Sequence, residues 1–306
     1  MINNKRSKLL VALALIFVLV FTTVLTGCGK DNGSSAPLDT SEYAMPSAPG
    51  DKTMGNSSVK IDASNTDDGY ISIKYLGSNS KVKLQVKGGD DTYTYNLEKS
   101  DDYMVIPFSS GSGKYTIEVY ENVYGNQYAQ AYATSLNVSI KDDNKPFLIP
   151  NYYVRYTKDD KIVKLAMKET SESKTQLDAV EDVYNYVIKN INYDYEKAAT
   201  LTENYVPDLS QVISQKKGLC LDFASLMTAM LRIRNIPTKL VVGYKSDEYH
   251  AWISVYISDV GWIDDVIQFD GSDWTLMDPT IAASGGNDSK SDYEKNKDQY
   301  HALYFY

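Results

Sequence analysis

A cysteine, a histidine and an aspartate in the C-terminal half of the chain have the residue types for acyl transfer through a thioester. Cys220 stands in Lys-Lys-Gly-Leu-Cys-Leu-Asp-Phe-Ala-Ser-Leu-Met (216–227), just after Gly218 and at the head of an apolar run. If that run is a helix, its free N–H groups and the positive end of its dipole favour a thiolate over a thiol. His250 opens His-Ala-Trp-Ile-Ser-Val-Tyr-Ile and is the only histidine in the body of this half. Beside the sulfur it would take the thiol proton and leave a thiolate–imidazolium pair. Asp278 ends the run 274–278, where alternation puts Trp274, Leu276 and Asp278 on one side. A carboxylate there would hold the second imidazole nitrogen and fix its tautomer. The plainer alternative is that Cys220 is a small buried hydrophobe without chemistry.

These side chains need elements to position them. Leu177, Val180, Tyr184, Val187, Ile188 and Ile191 recur at spacings of three and four, which predicts a helix of about 15 residues. A shorter helix is expected after Pro207, a residue suited to a first helical position. Residues 219–234 are apolar on nearly every side, as in a helix buried in the middle of a domain. Beyond Pro237 the pattern becomes strand-like through 240–244, 250–257, 262–269 and 274–277. Residues 146–306 are therefore expected to form an α+β domain, helices first and an antiparallel sheet after.

Ahead of it the period is two. Ile71/Ile73/Tyr75, Val82/Leu84/Val86, Tyr93/Tyr95/Leu97, Tyr115/Ile117/Val119 and Leu136/Val138/Ile140 each line one face, with further short runs at 103–108 and 128–133. Turn signals separate them, among them Gly88-Gly89-Asp90 and Gly125-Asn126. About seven strands at near ten-residue spacing predict an all-β sandwich over 58–145, immunoglobulin-like or fibronectin-like. This domain offers no nucleophile with a base, so its expected role is spacer or docking module.

The N-terminus reads as an export signal. Lys5, Arg6 and Lys8 precede an unbroken apolar run, 9–21, which meets Leu25-Thr26-Gly27-Cys28. That is a charged region, an apolar region and a small-residue cleavage site, and the run is shorter than the roughly 20 residues of a spanning helix. Leu-Thr-Gly-Cys resembles a bacterial lipobox. By that resemblance residues 1–27 are a lipoprotein signal peptide and Cys28 becomes a lipidated N-terminus, anchored at the extracellular face of the cell membrane, or facing the periplasm where there is an outer membrane. Residues 28–57 are rich in Gly, Ser, Pro, Asn and Asp without an apolar period, so they are expected to be a flexible tether reaching roughly 30 Å from the membrane.

Composition excludes several classes of function. Removing residues 1–27, with three positive side chains and no negative ones, lowers the formal charge from −9 to −12. Phosphate backbones would repel such a chain, so no nucleic-acid partner is expected. With Cys28 lipidated, Cys220 has no disulfide partner within the chain. No metal site is expected, since His250 and His301 are the only histidines and no Cys or His pair has zinc-like spacing. Most of the six Asp-Asp pairs fall where turns are expected, and they read as solvated turns rather than calcium sites. No glycine-rich phosphate loop occurs, and no cofactor is expected.

Several short motifs then occur in one order: Lys217-Gly218-Leu219-Cys220-Leu221-Asp222-Phe223-Ala224-Ser225-Leu226, Arg-Ile-Arg-Asn-Ile-Pro (232–237), Gly243-Tyr244, His250-Ala251-Trp252, Gly261-Trp262 and Asp278-Pro279-Thr280. Together they resemble the transglutaminase-like superfamily over about residues 175–282. The resemblance implies a papain-like core with Cys220 as nucleophile, His250 as base and acid, and Asp278 as orienting residue. The His250–Asp278 interval is long, and Asp265 lies within it as an alternative third member. Asp222 reads either as a charge on the helix dipole or as a partner for a nearby loop. Trp252 shares a strand face with His250 and either walls the site or packs in the core, Tyr193 is a candidate for the cleft border, and His301 reads as surface or late-strand structure. The expected substrates are protein or peptide amides, from surface proteins or cell-wall peptides, with transamidation and hydrolysis equally open. The alternative is a non-catalytic surface binding or adhesion lipoprotein, suited by the 26 tyrosines in 306 residues.

Overall fold

A computed structural model describes residues 36–201, 204–264, 267–269, 274–276 and 300–306. Cys28, Asp265 and Asp278 lie outside the described residues, as does the whole of 1–35. Strand alternation builds the first half. In β4 (Val82–Gly88) the side chains of Val82, Leu84 and Val86 are buried while Lys83, Gln85 and Lys87 are half-exposed, the signature of a sheet with one face in the core. Eight strands result: β1 (Thr53–Gly55), β2 (Val59–Asp62), β3 (Tyr70–Tyr75), β4, β5 (Asp91–Leu97), β6 (Met104–Pro107), β7 (Gly113–Tyr124) and β8 (Gln127–Val138). They form two four-stranded antiparallel sheets, ordered β1-β2-β3-β6 and β5-β4-β7-β8. The runs at 128–133 and 136–140, expected as separate strands, are largely one. β8 pairs with β7 along its length, and the register shifts at Val119/Tyr120 and Asn122/Tyr124 absorb the break in the pattern. Gly125, with φ +52°, makes the hairpin turn that its Gly-Asn signal predicts.

The tether expectation is corrected from residue 36 onward. Ala36 and Leu38 are buried, and Leu38 N–H donates to Lys174 O at 2.9 Å while Gln176 N–H donates to Ala36 O at 2.9 Å. Further on, Gly50 N–H donates to Asp62 at 2.7 Å and β1 pairs with β2. Backbone hydrogen bonds, which need no apolar period, hold this stretch down.

The second half carries α1 (Lys161–Glu169), α2 (Gln176–Asn190), β9 (Asn192–Tyr193), α3 (Tyr195–Ala199), α4 (Leu209–Gln215), β10 (Lys217–Gly218), α5 (Cys220–Ile233), β11 (Thr238–Lys245), β12 (Glu248–Ile257), β13 (Gly261–Ile263), β14 (Ile267–Phe269), β15 (Trp274–Leu276) and β16 (Tyr300–Phe305). A four-stranded antiparallel sheet runs β13-β12-β11-β16, and β14 pairs with β15. His301 thus falls on an edge strand. The α2 face is buried as its spacing predicts, and a capping box starts it: Asp178 N–H donates to Thr175 Oγ1 at 3.1 Å, and Thr175 N–H donates to the Asp178 carboxylate at 2.9 Å. α4 begins two residues later than expected, with Leu209 rather than Pro207 at its first position and Asp208 as its N-cap. The Asp208 carboxylate accepts from Gln211 N–H at 3.0 Å, a bond proline cannot supply. α5 is buried from Asp222 to Ile233 and packs on β11, β12, α1 and α2.

The two halves share one core instead of forming separate bodies, and the described residues belong to a single compact unit. The expected boundary near residue 145 is sealed by tyrosines. Tyr93 and Tyr95 of β5 meet Tyr152, Tyr304 and Tyr306 edge-to-face at centroid distances of 5.1 to 6.0 Å, a favoured geometry for aromatic pairs. Arg232 adds a polar tie. Fully buried, it donates to Thr238 O (3.0 and 2.7 Å), Ile149 O (2.6 Å) and Tyr306 O (2.7 Å).

Candidate active site

The turn that presents Cys220 is fixed from both sides. Lys216 ends α4 in the left-handed region, φ +54°, with its N–H donating to Val212 O at 2.9 Å. β10 then pairs in parallel with β9, extended by Asn192 N–H to Lys216 O (2.9 Å) and Asp194 N–H to Gly218 O (3.0 Å). Leu219 occupies the N-cap of α5 and has no side-chain oxygen for the helix amides. The Asp222 carboxylate supplies half of a capping box, accepting from Leu219 N–H at 2.8 Å. Cys220 follows as the first helical residue, a free and half-buried thiol. A first-turn amide lacks an intrahelical acceptor, so the Cys220 N–H is available to a developing oxyanion.

Gly218 is required by space. A Cβ there would come within 2.7 Å of Asp222 Cβ and 3.2 Å of its carboxylate. Gly218→Ala is therefore expected to push Asp222 off Leu219, lowering stability by about 1–3 kcal/mol and slowing Cys220 alkylation. Thermal melts and iodoacetamide kinetics would check both, and an unchanged alkylation rate would break the proposed link between Asp222 and the turn.

Asp222 resolves in favour of loop bonding. Its side chain is fully buried and accepts from Lys197 Nζ at 2.9 Å and from the Tyr205 hydroxyl, besides Leu219. Lys197 also donates to the Tyr205 hydroxyl and lies 4.2 Å from that ring's centroid. Burial first, and then the Asp222 carboxylate, hold the Tyr205 hydroxyl well above its ordinary pKa. Tyr205 thus stays a donor. Tyr193 sits level with Gly218 in the β9–β10 pair and packs edge-to-face on Tyr195 at 4.9 Å, beside the nucleophile turn.

The β12 strand brings its first residues to the same region. Tyr249 is raised above its ordinary pKa, chiefly by burial, with Cys220 among the charges acting on it, so the start of β12 lies near the start of α5. His250 is half-buried and stacks with buried Trp252 at 6.4 Å between centroids. Trp252 also packs edge-to-face on Tyr300 at 5.3 Å, which makes it a core residue that backs the histidine. Alternation turns His250 with Trp252 to one side of the strand and Tyr249 to the other. The sequence reading missed Lys197, Tyr205 and Tyr249. The first two lie 25 and 17 residues from Asp222 in a stretch without apolar period, where only tertiary structure pairs them. Among the described residues no group of three or more His, Cys, Asp or Glu could hold a metal ion.

Comparison with known proteins bears on this geometry. Residues 163–265 match the family model of the transglutaminase-like superfamily, a range that contains Cys220, His250 and Asp265 and stops short of Asp278. The chain is 26% identical over 148 residues to the uncharacterised protein YebA of Bacillus subtilis and 31% identical over 150 residues to UPF0252 protein MJ1282 of Methanocaldococcus jannaschii. The alignments cover 41% and 44% of this chain, but only 20% and 40% of those relatives. Among solved structures, the periplasmic domain of TgpA from Pseudomonas aeruginosa aligns with a TM-score of 0.35 at 11% identity, covering 79% of this chain and 99% of that one. Such a score carries no weight for function. Residues 163–265 form a domain of the transglutaminase-like superfamily.

Proposed function

We propose that the protein performs thiol-dependent acyl transfer on protein or peptide amides at the outer surface of a bacterial cell. The observation that carries this reading is Cys220 itself, a free half-buried thiol at the first position of α5, on a turn held by a buried carboxylate. His250 serves as base and then acid, and Asp278, or Asp265 in its place, orients the imidazole. The thiolate attacks the amide carbonyl carbon. The C–S bond forms, the oxyanion is held by the Cys220 N–H, and the C–N bond breaks as imidazolium protonates the leaving nitrogen. An amine or water then attacks the thioester and returns the sulfur, giving transamidation or hydrolysis. The paired rings Tyr193/Tyr195 and Tyr244/Tyr249 flank this region and suit an extended peptide substrate.

Lipidation at Cys28 after removal of residues 1–27 would hold the enzyme at the membrane surface, and no helix among the described residues is long and apolar enough to cross one. The two β-sheets of the first half act as a spacer or docking module of immunoglobulin-like or fibronectin-like type. A second reading, a surface binding lipoprotein on the same scaffold, draws on the β7–β8 hairpin, whose tip exposes Val123 and Tyr124 (80% for the tyrosine).

The test is the pH dependence of iodoacetamide alkylation at Cys220, followed by peptide mass spectrometry in the full chain and in His250→Ala. The catalytic reading expects fast alkylation well below pH 8 that is lost without His250. A midpoint near 8.5, the usual free-thiol value, with no response to His250→Ala, leaves the binding reading.

A further inference from the structure

Asp222 places a buried negative charge two residues from the proposed nucleophile, which works against forming a second negative charge there. Its compensation comes from α3. Among the described residues Lys197 is the only cation that salt-bridges Asp222, at 2.9 Å, and its side chain keeps 32% exposure while that of Asp222 has none. α3 has only five residues and buries none of them. It is fastened where Asp194 N–H donates to Gly218 O (3.0 Å), where the Asp194 carboxylate accepts from Lys197 N–H (3.0 Å), and through Lys197 itself. The loop after α3 is pinned at Tyr205 and, from the β half, by Asn96 donating to Asn204 at 2.8 Å.

We propose that Lys197 is a positioning residue that acts through Asp222: docked on the nucleophile turn, its ammonium cancels the buried carboxylate and keeps Cys220 ionisable. α3 then works as a latch. With α3 seated, the carboxylate can hold the Leu219 amide without opposing the thiolate; with α3 displaced, the same carboxylate suppresses it. The inference rests on the thiol chemistry proposed above.

The other titratable groups around the turn are accounted for. Asp194 and Asp208 act on Tyr205 and add negative charge. Lys217 of β10 is exposed, Tyr249 at the start of β12 is a neutral phenol near pH 8, and His250 is the proposed base. None of them salt-bridges Asp222. Without Lys197, Leu219 N–H and the Tyr205 hydroxyl still donate to the carboxylate.

The experiment compares the alkylation midpoint of Cys220 in the full chain, in Lys197→Met, in Lys197→Arg, and in Lys197→Met combined with Asp222→Asn. Lys197→Met is expected to raise the midpoint by about one pH unit, in line with loss of a nearby opposite charge. Lys197→Arg keeps the charge and is expected to hold the wild-type midpoint, and the double variant to return to it. A Lys197→Met midpoint equal to wild type overturns the proposal. A raised midpoint that Asp222→Asn does not bring back overturns it too, because only a structural role for Lys197 gives that result. Circular dichroism shows that each variant is folded; if Lys197→Met does not fold, Lys197→Gln replaces it in the same comparison. Each midpoint is read against wild type, so a wild-type thiol at the free value defeats the catalytic reading while the Lys197 shift still decides this one.

Discussion

Cys220→Ala is expected to abolish amide turnover while leaving the fold intact. The two halves of that outcome have separate causes. Removing the atom that forms the covalent intermediate leaves only binding and oxyanion stabilisation, and losses on the order of 10³-fold or more follow when a nucleophile is deleted. Stability should move by less than about 1 kcal/mol, because Cys220 is half-buried and the turn's hydrogen bonds run through backbone groups and Asp222, not through sulfur. The measurement is amine incorporation into a glutamine-bearing protein such as casein, alongside peptide hydrolysis and a thermal melt. Retained turnover at an unchanged melting temperature would remove Cys220 from the mechanism. Alanine is the better replacement, since serine would leave a hydroxyl on the same turn.

Strand and helix periods made most of the fold legible. Val82/Leu84/Val86 and Tyr93/Tyr95/Leu97 are buried as their alternation predicts, and α5 is buried from Asp222 to Ile233, most of its residues being apolar. Three features were not legible, each for a physical reason. The docked stretch from Ala36 is held by single backbone hydrogen bonds and the buried side chains of Ala36 and Leu38, which leave no periodic trace. α1 buries only Ile162 and Ala166, a spacing of four in nine residues, too short to stand out from its connector. The boundary between the halves is closed by aromatic pairs, so no polar seam marks it in the sequence. At the site, position decided what residue type left open. Asp222 suited a helix dipole or a loop, and the identity of its partners depended on where α3 came to rest.

The largest effect on stability is expected at Arg232, in the same helix as the nucleophile. Its guanidinium is fully buried, and burial lowers its pKa to about 10, so it stays charged at neutral pH. Keeping a charge in the core opposes folding, and an apolar replacement removes that opposition. The opposing cost is greater here, because the four donated bonds satisfy backbone carbonyls at Thr238, Ile149 and Tyr306, on three separate segments. Arg232→Met keeps the stem and deletes every donor; Tyr306 O keeps its bond from Leu240 N–H at 3.0 Å, while Thr238 O and Ile149 O lose the guanidinium bonds at about 1–3 kcal/mol each. Once the relief of the buried charge is subtracted, a net loss of about 2–4 kcal/mol remains, a large share of the roughly 5–15 kcal/mol typical of a domain. Linkage gives a second check. For a base whose folded pKa is depressed, the unfolded chain binds more protons only from about pH 10 upward, so Arg232 makes no contribution to the pH dependence of stability near neutrality. The Arg232→Met loss should therefore be the same at pH 6 and pH 8 in urea titrations. A midpoint equal to or above wild type would mean that removing the buried charge outweighs the abandoned carbonyls. A loss that changed between those pH values would mean that another titrating group shares the site.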